Sequence, residues 1–160
     1  AGRLAALLLA AGGPAEAEAE AEGLYREVLE GRGACLGPTH PGTLAALQQL
    51  ASLLHRAGRH AEAEPLLWRL LRHREATAGG AHAATLTTAV DLGRVLEALG
   101  RGEAAEELYR RALEGRTAVL GPLHAGTVAV HAHLARCLEA VGRHEEAGGL
   151  GGHRALVAAS

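Results

Sequence analysis

LGPTHPGTL, residues Leu36 to Leu44, returns as AGGAHAATL at Ala78 to Leu86 and as LGPLHAGTV at Leu120 to Val128, 42 residues further on each time. His40, His82 and His124 share one phase of this period, as do Thr43, Thr85 and Thr127. Each trio stands where a Gly- or Pro-containing loop gives way to an apolar-periodic run, which identifies the segment as a device that starts a helix. A fixed period of this size is the signature of an array of like supersecondary units. The expected organisation is a single repeat domain over 1–160, with a partial unit over 1–36 and repeats over 37–78, 79–120 and 121–160.

Within a unit, two helical stripes follow one another. Leu44, Leu47, Leu50, Ala51 and Leu54 fall on one side of a helix over Pro41 to Ala57, and Gly58 and Arg59 form the turn after it. A second helix from about His60 carries Ala63, Leu66, Leu67, Leu70 and Leu71 at helical spacing, with Pro65 just past its first turn, where a local perturbation is expected instead of a break. Each repeat is thus an antiparallel helix pair whose apolar stripe needs a neighbour to cover it. The first unit begins midway: RLAALLLAAGG at Arg3 to Gly13 aligns with QLASLLHRAGR at Gln49 to Arg59, so the sequence reads as an excerpt of a longer chain. Its second helix is expected over Pro14 to Arg32, since the Ala and Glu of AEAEAEAE favour helix over strand. In the last copy Gly148, Gly149, Gly151 and Gly152 predict an irregular final helix.

Leu–Ala/Gly–x–x–Leu in the first helix, Gly–Arg at the turn and Ala–x–x–Leu–Tyr/Leu in the second resemble the tetratricopeptide repeat. The 42-residue unit, with LGPTHPGTL before the first helix and GRHAEAEPLLWRLL at Gly58 to Leu71, resembles most closely the repeats of kinesin light chain. Nine phases, those of Gly37, His40, Thr43, Leu50, Leu54, Gly58, Arg59, Ala63 and Leu66, hold the same residue in all three later copies. The resemblance implies an all-α fold, a right-handed α-solenoid of antiparallel helix pairs. It also implies a non-catalytic scaffold, part of a larger adaptor or regulatory protein, that holds a peptide segment of a partner on the concave face built from the first helices. Where the kinesin light chain pattern carries paired Asn, this chain has Gln48 and Gln49, then Val90 and Asp91, then Ala132 and His133.

The side of each first helix opposite the apolar stripe should line that face. Its candidate peptide-binding residues are Gln48, Gln49 and Ser52, then Asp91 and Arg94, then His133 and Arg136, with His55, Glu97 and Glu139 beside them. Arg94 and Arg136 share a phase, and two guanidinium groups with flanking amides suit a peptide backbone and an acidic side chain. A plainer reading makes Asp91–Arg94 and Arg136–Glu139 i,i+3 pairs on a solvated face. On the second helices, Glu106–Arg110 and Glu107–Arg111 are expected as i,i+4 pairs.

Composition disfavours other classes of function. A net charge of −2 and a pI near 6.6 leave no electrostatic footprint for nucleic acid or an anionic membrane. All sixteen basic residues are Arg. Without Lys there is no Walker A loop or Schiff base, and Ser52 and Ser160 are the only serines, so no GxSxG elbow forms. HEEAG at His144 lacks the second His of HExxH, and GRGACLG at Gly31 has no following Lys. His131, His133 and Cys137 invite a metal reading, but Cys137 takes the apolar phase of Leu53 and Val95 and reads as a packing residue. No enzyme activity, cofactor or metal is therefore expected. Two cysteines, Cys35 and Cys137, form no disulfide framework, so a reducing, cytoplasmic setting is expected. Trp68, at the phase of Arg26 and Arg110, receives no role. The alternative to a peptide-binding module is a structural segment that self-stacks through exposed terminal helices.

Overall fold

The computed structural model describes residues 15–149 except 36 and 38. The half-helix expected over 3–13 and the glycines Gly151 and Gly152 lie outside these. Among the described residues every regular element is helical: α1 Ala15–Cys35, α2 Pro41–Arg56, α3 His60–Ala78, α4 Ala83–Ala98, α5 Gly102–Leu120 and α6 Ala125–Ala140, followed by a helical turn over 144–149. The Ala–Glu run is helix, as its propensities require, and α1 runs on to Cys35, three residues beyond the expected Arg32. Helix α3 continues through Pro65. The backbone is also helical at Gly148 and Gly149, where the sequence predicts an irregular segment. Glycine lowers the stability of a helix by about 0.8–1 kcal/mol against alanine, yet its peptide groups still complete the hydrogen-bond ladder.

Each first helix starts in the same way. Nδ1 of His40, His82 and His124 accepts a hydrogen bond from the backbone N–H two residues on, at 3.1, 3.2 and 3.0 Å. This imidazole N-cap satisfies one of the donors that a helix start leaves without an intrahelical partner. The hydroxyls of Thr43, Thr85 and Thr127 donate back to the carbonyls of Gly37, Gly79 and Gly121 at 3.1, 2.9 and 2.9 Å. Those glycines hold φ near +87°, a conformation costly for any residue with a Cβ. The His–x–x–Thr segment thus closes a loop on itself at the start of each of these helices. Gly58, Gly100 and Gly142, at φ +74° to +80°, make the turns to the second helices.

The chain divides into two compact units, 1–73 and 74–160, with the boundary inside α3. In the first, α1 packs against α2. Ala21, Tyr25 and Val28 of α1, Leu47, Leu50 and Leu54 of α2, and Ala63, Leu67 and Leu70 of α3 are buried. In the second unit α5 packs against both α4 and α6, and α4 also touches α6 directly. Its core comprises Leu86, Leu92, Val95 and Leu96 of α4, Ala105, Tyr109 and Ala112 of α5, and Val130, Leu134 and Leu138 of α6, all at most 2% exposed.

Candidate peptide-binding face

In the second unit the two first helices, α4 and α6, present one polar surface. Asp91, Arg94 and Glu97 follow one another on α4 at helical spacing, and His133 and Arg136 do so on α6. The tertiary structure joins them through the second helix between. Tyr109 of α5 is fully buried, and its hydroxyl donates to Glu97 Oε2 at 2.9 Å. The His133 ring stacks on the Tyr109 ring, with centroids 5.6 Å apart and planes 16° from parallel. Arg136 then reaches Glu97 Oε1 at 3.4 Å and His133 Nδ1 at 3.0 Å. A buried tyrosine therefore anchors a Glu–Arg–His cluster at the surface.

The two i,i+3 pairs of the plainer reading do not form. Arg136 pairs with Glu97 on α4 in place of Glu139 on its own helix. Arg94 is exposed and makes no hydrogen bond or ion pair with any described residue. The reason is the stacking of α6 beside α4, which brings a carboxylate one repeat away closer than one a helical turn away.

Charge and burial work against each other here. Burial pushes the Asp91 carboxyl above the usual carboxylate range, while Arg94, Arg116 and Arg74 pull it down. Burial, reinforced by Arg136, Arg94 and Arg116, lowers the His133 pKa below 6.5, with Glu97 opposing. His133 is thereby held toward its neutral form, able to accept a hydrogen bond as well as donate one. The Tyr109 hydroxyl is raised by burial and by Glu97, so it stays a donor.

Gln48 is half-buried, and Gln49 and Ser52 are exposed, on α2 in the first unit. Gln49 has the phase of Asp91 and His133, and Ser52 that of Arg94 and Arg136. Cys137 is 1% exposed and its thiol donates to the Gly102 carbonyl at 3.2 Å, a packing role. Among the described residues no group of three His, Cys, Asp or Glu is placed to hold a metal ion.

Two recurring arginine contacts escape a reading based on apolar stripes alone. Arg74 donates to the Ala84 carbonyl at 3.0 Å and to the Thr88 hydroxyl, and Arg116 donates to the Gly126 carbonyl at 2.8 Å and to the Thr87 hydroxyl at 3.2 Å. Each ties the end of a second helix to a first-turn carbonyl of the next repeat, while the Arg116–Thr87 bond joins the two helices of one repeat. The signal was present: Arg32, Arg74 and Arg116 recur at the 42-residue period. Likewise Arg59, at the turn, bonds Glu22 of α1 at 2.8 Å and Glu62 at 2.6 Å, with Arg26 completing a ring of four charges. Arg143, Glu106, Glu146 and Arg110 repeat that ring in the second unit. Glu106–Arg110 thus forms as expected, but Arg111 pairs with Glu75, in the last turn of α3, and not with Glu107.

The tetratricopeptide repeat family model matches the chain three times, over residues 1–76, 49–118 and 84–148. Among solved structures, a Podosopora anserina protein described as a kinesin light chain of nearly identical TPR-like repeats is 26% identical. Its TM-score is 0.77, with 90% of this chain and 68% of that one covered. A second crystal structure of that protein, carrying a point substitution, gives 28% identity, a TM-score of 0.81 and coverage of 95% and 70%. BtubC (BKLC) from P. vanneervenii shares the fold at 16% identity and a TM-score of 0.79, over 89% of this chain and 57% of that one. A search of curated proteins finds no match. These likenesses place the chain among the α-solenoids of antiparallel helix pairs, as the 42-residue return implies.

Proposed function

This chain belongs to the tetratricopeptide repeat family, whose repeats are generally protein-interaction modules, and we propose that it binds a peptide segment of a partner protein along its first helices. The observation that carries this reading is Arg94: an exposed guanidinium without an ion-pair partner among the described residues, beside a cluster in which Glu97 already holds its repeat mate Arg136. An arginine left in this state can take a carboxylate of a ligand bidentately at little desolvation cost.

Arg94 binds an acidic side chain of the ligand, and the N–H donors of Arg136 that Glu97 and His133 leave unused reach its carbonyl groups. Asp91 and His133 hold its other backbone groups, and Gln48, Gln49 and Ser52 serve the preceding repeat similarly. The module acts as a scaffold in a larger adaptor or regulatory protein and performs no catalysis itself. It works in the cytoplasm, and its partners are proteins, not nucleic acid or membrane. None of the described helices is long and apolar enough to cross a membrane.

Pull-down with the intact domain followed by peptide mapping identifies the ligand. Arg94→Ala/Arg136→Ala should then weaken it at least ~10-fold, the ~1.5–3 kcal/mol associated with hydrogen bonds to charged groups. Unchanged affinity in that double variant removes the assignment. A self-stacking segment, the competing reading, would instead show a solution mass that rises with concentration.

A further inference from the structure

The second repeat breaks the pattern of its neighbours at one place on the surface. On α1 and α5 the positions Arg26 and Arg110 are locked into the four-charge rings already described. At the same phase α3 carries Trp68, the only tryptophan of the chain. Three more differences accompany it. Arg69 stands where α1 has Glu27, Arg72 stands where α1 and α5 have Glu30 and Glu114, and Pro65 stands where they have Gly23 and Glu107.

These residues lie on the side of α3 away from the buried Ala63, Leu67, Leu70 and Leu71. Together with Glu64 they line an open depression of about 600 Å³. The Trp68 indole N–H donates to Glu64 Oε1 at 3.3 Å, which fixes the ring beside the helix and leaves it half-buried. Arg69 and Arg72 are exposed and make no hydrogen bond or ion pair with any described residue.

Packing requirements repeat from copy to copy in an array of this kind, because every copy covers the same neighbouring surfaces. The fold does not require Trp68, Arg69 or Arg72, since the sister helices build the same second helix with Arg, Glu or Arg, and Glu. An aromatic face flanked by two guanidinium groups without a partner among the described residues matches one partner chemistry: an acidic segment that also presents an apolar side chain. The ring offers apolar area at small entropic cost, and the arginines offer bidentate sites for carboxylates.

We propose that this face of α3 is a second docking site, distinct from the first-helix face, for an acidic, leucine-containing peptide segment of a partner protein. The leucine lies against Trp68 and Pro65, and flanking carboxylates pair with Arg69 and Arg72. The site does not rest on the first-helix reading and stands or falls separately from it.

Trp68 reports its own occupancy, because no other tryptophan contributes to the emission. The probe is a synthetic peptide of alternating Asp and Leu, titrated into the intact chain at low salt, with a Lys–Leu peptide of equal length for comparison. The Asp–Leu peptide should shift the emission to shorter wavelength in a saturable way, and the Lys–Leu peptide should not. Arg69→Glu/Arg72→Glu should raise the apparent Kd at least ~30-fold, as should added salt. Trp68→Arg, the residue both sister helices use, should abolish binding of a dye-labelled peptide followed by anisotropy. Helical circular dichroism of the Trp68, Arg69 and Arg72 variants should match the parent, since they adopt residues that α1 or α5 already carry.

Arg94→Ala/Arg136→Ala should leave the Trp68 response unchanged. An emission insensitive to the Asp–Leu peptide, equal response to both peptides, or a response lost in Arg94→Ala/Arg136→Ala but kept in Arg69→Glu/Arg72→Glu would overturn the proposal. A shift produced by phosphatidylserine vesicles and not by the peptide would overturn it also, reassigning the patch to a lipid surface.

Discussion

Gly93→Ala should destabilise the second unit even though it places the best helix former in the middle of a helix. A Cβ at residue 93 would stand 2.6 Å from Tyr109 Cε1, 3.0 Å from Cζ and 3.1 Å from Cδ1. Carbon atoms rest at about 3.5–4.0 Å, so the ring has to give way by about 1 Å. It has little room, being fully buried, stacked by His133 and held through its hydroxyl by Glu97. Overpacking of this kind costs about 1–3 kcal/mol, and a strained Tyr109–Glu97 hydrogen bond adds up to about 1 kcal/mol. The helix gains about 0.8–1 kcal/mol from losing the glycine. The net loss is therefore up to about 3 kcal/mol, centred on about 1.5 kcal/mol, measurable as a lower urea midpoint at unchanged slope.

The second repeat solves the same contact with Ala51 and Leu67 at these phases. In a Tyr109→Leu background the sign should accordingly reverse, Gly93→Ala now stabilising by up to about 1 kcal/mol. A double-mutant cycle by urea denaturation measures both arms. A Gly93→Ala variant more stable than the parent, or one whose effect is the same with Tyr or Leu at 109, would refute the steric argument.

Replacing the imidazole cap has a defined effect as well: His82→Ala should cost about 0.5–2 kcal/mol, the range for losing a side-chain N-cap, and His82→Asn should recover most of it, both read from urea midpoints. The four-charge ring predicts a response to acid. The guanidinium of Arg143, and more weakly Arg110, holds the Glu146 carboxyl below the usual carboxylate range. Such a group contributes stability that is complete above its unfolded pKa near 4.5 and is lost as pH falls through the lower folded value. Thermal melts from about pH 6 to 3 should show Glu146→Gln losing less stability across that window than the parent, and added salt should shrink the difference between them.

Much of this arrangement was legible in the residues. The 42-residue return, the His–x–x–Thr segments and the apolar stripes each depend on neighbours along the chain or one repeat away, and a period records such contacts directly. The helix starts accordingly fall where the His and Thr trios place them, and Cys137 packs where Leu53 and Val95 predict an apolar residue. The candidate face is a harder case. Sequence spacing puts Arg136 and Glu139 one turn apart and makes them look like a pair. It contains no measure of the distance from Arg136 to Glu97, 39 residues earlier, which the packing of α6 beside α4 reduces to 3.4 Å.

The sequence alone therefore determined the unit, its two helices and the way each begins, since these follow from hydrogen bonds and side-chain periodicity within a few residues. Only the tertiary structure decided which charges are consumed in the second unit and which remain. Ion pairing turns on side-chain reach between stacked helices, so Glu97 occupies Arg136, Glu75 occupies Arg111, and Arg94 is left exposed.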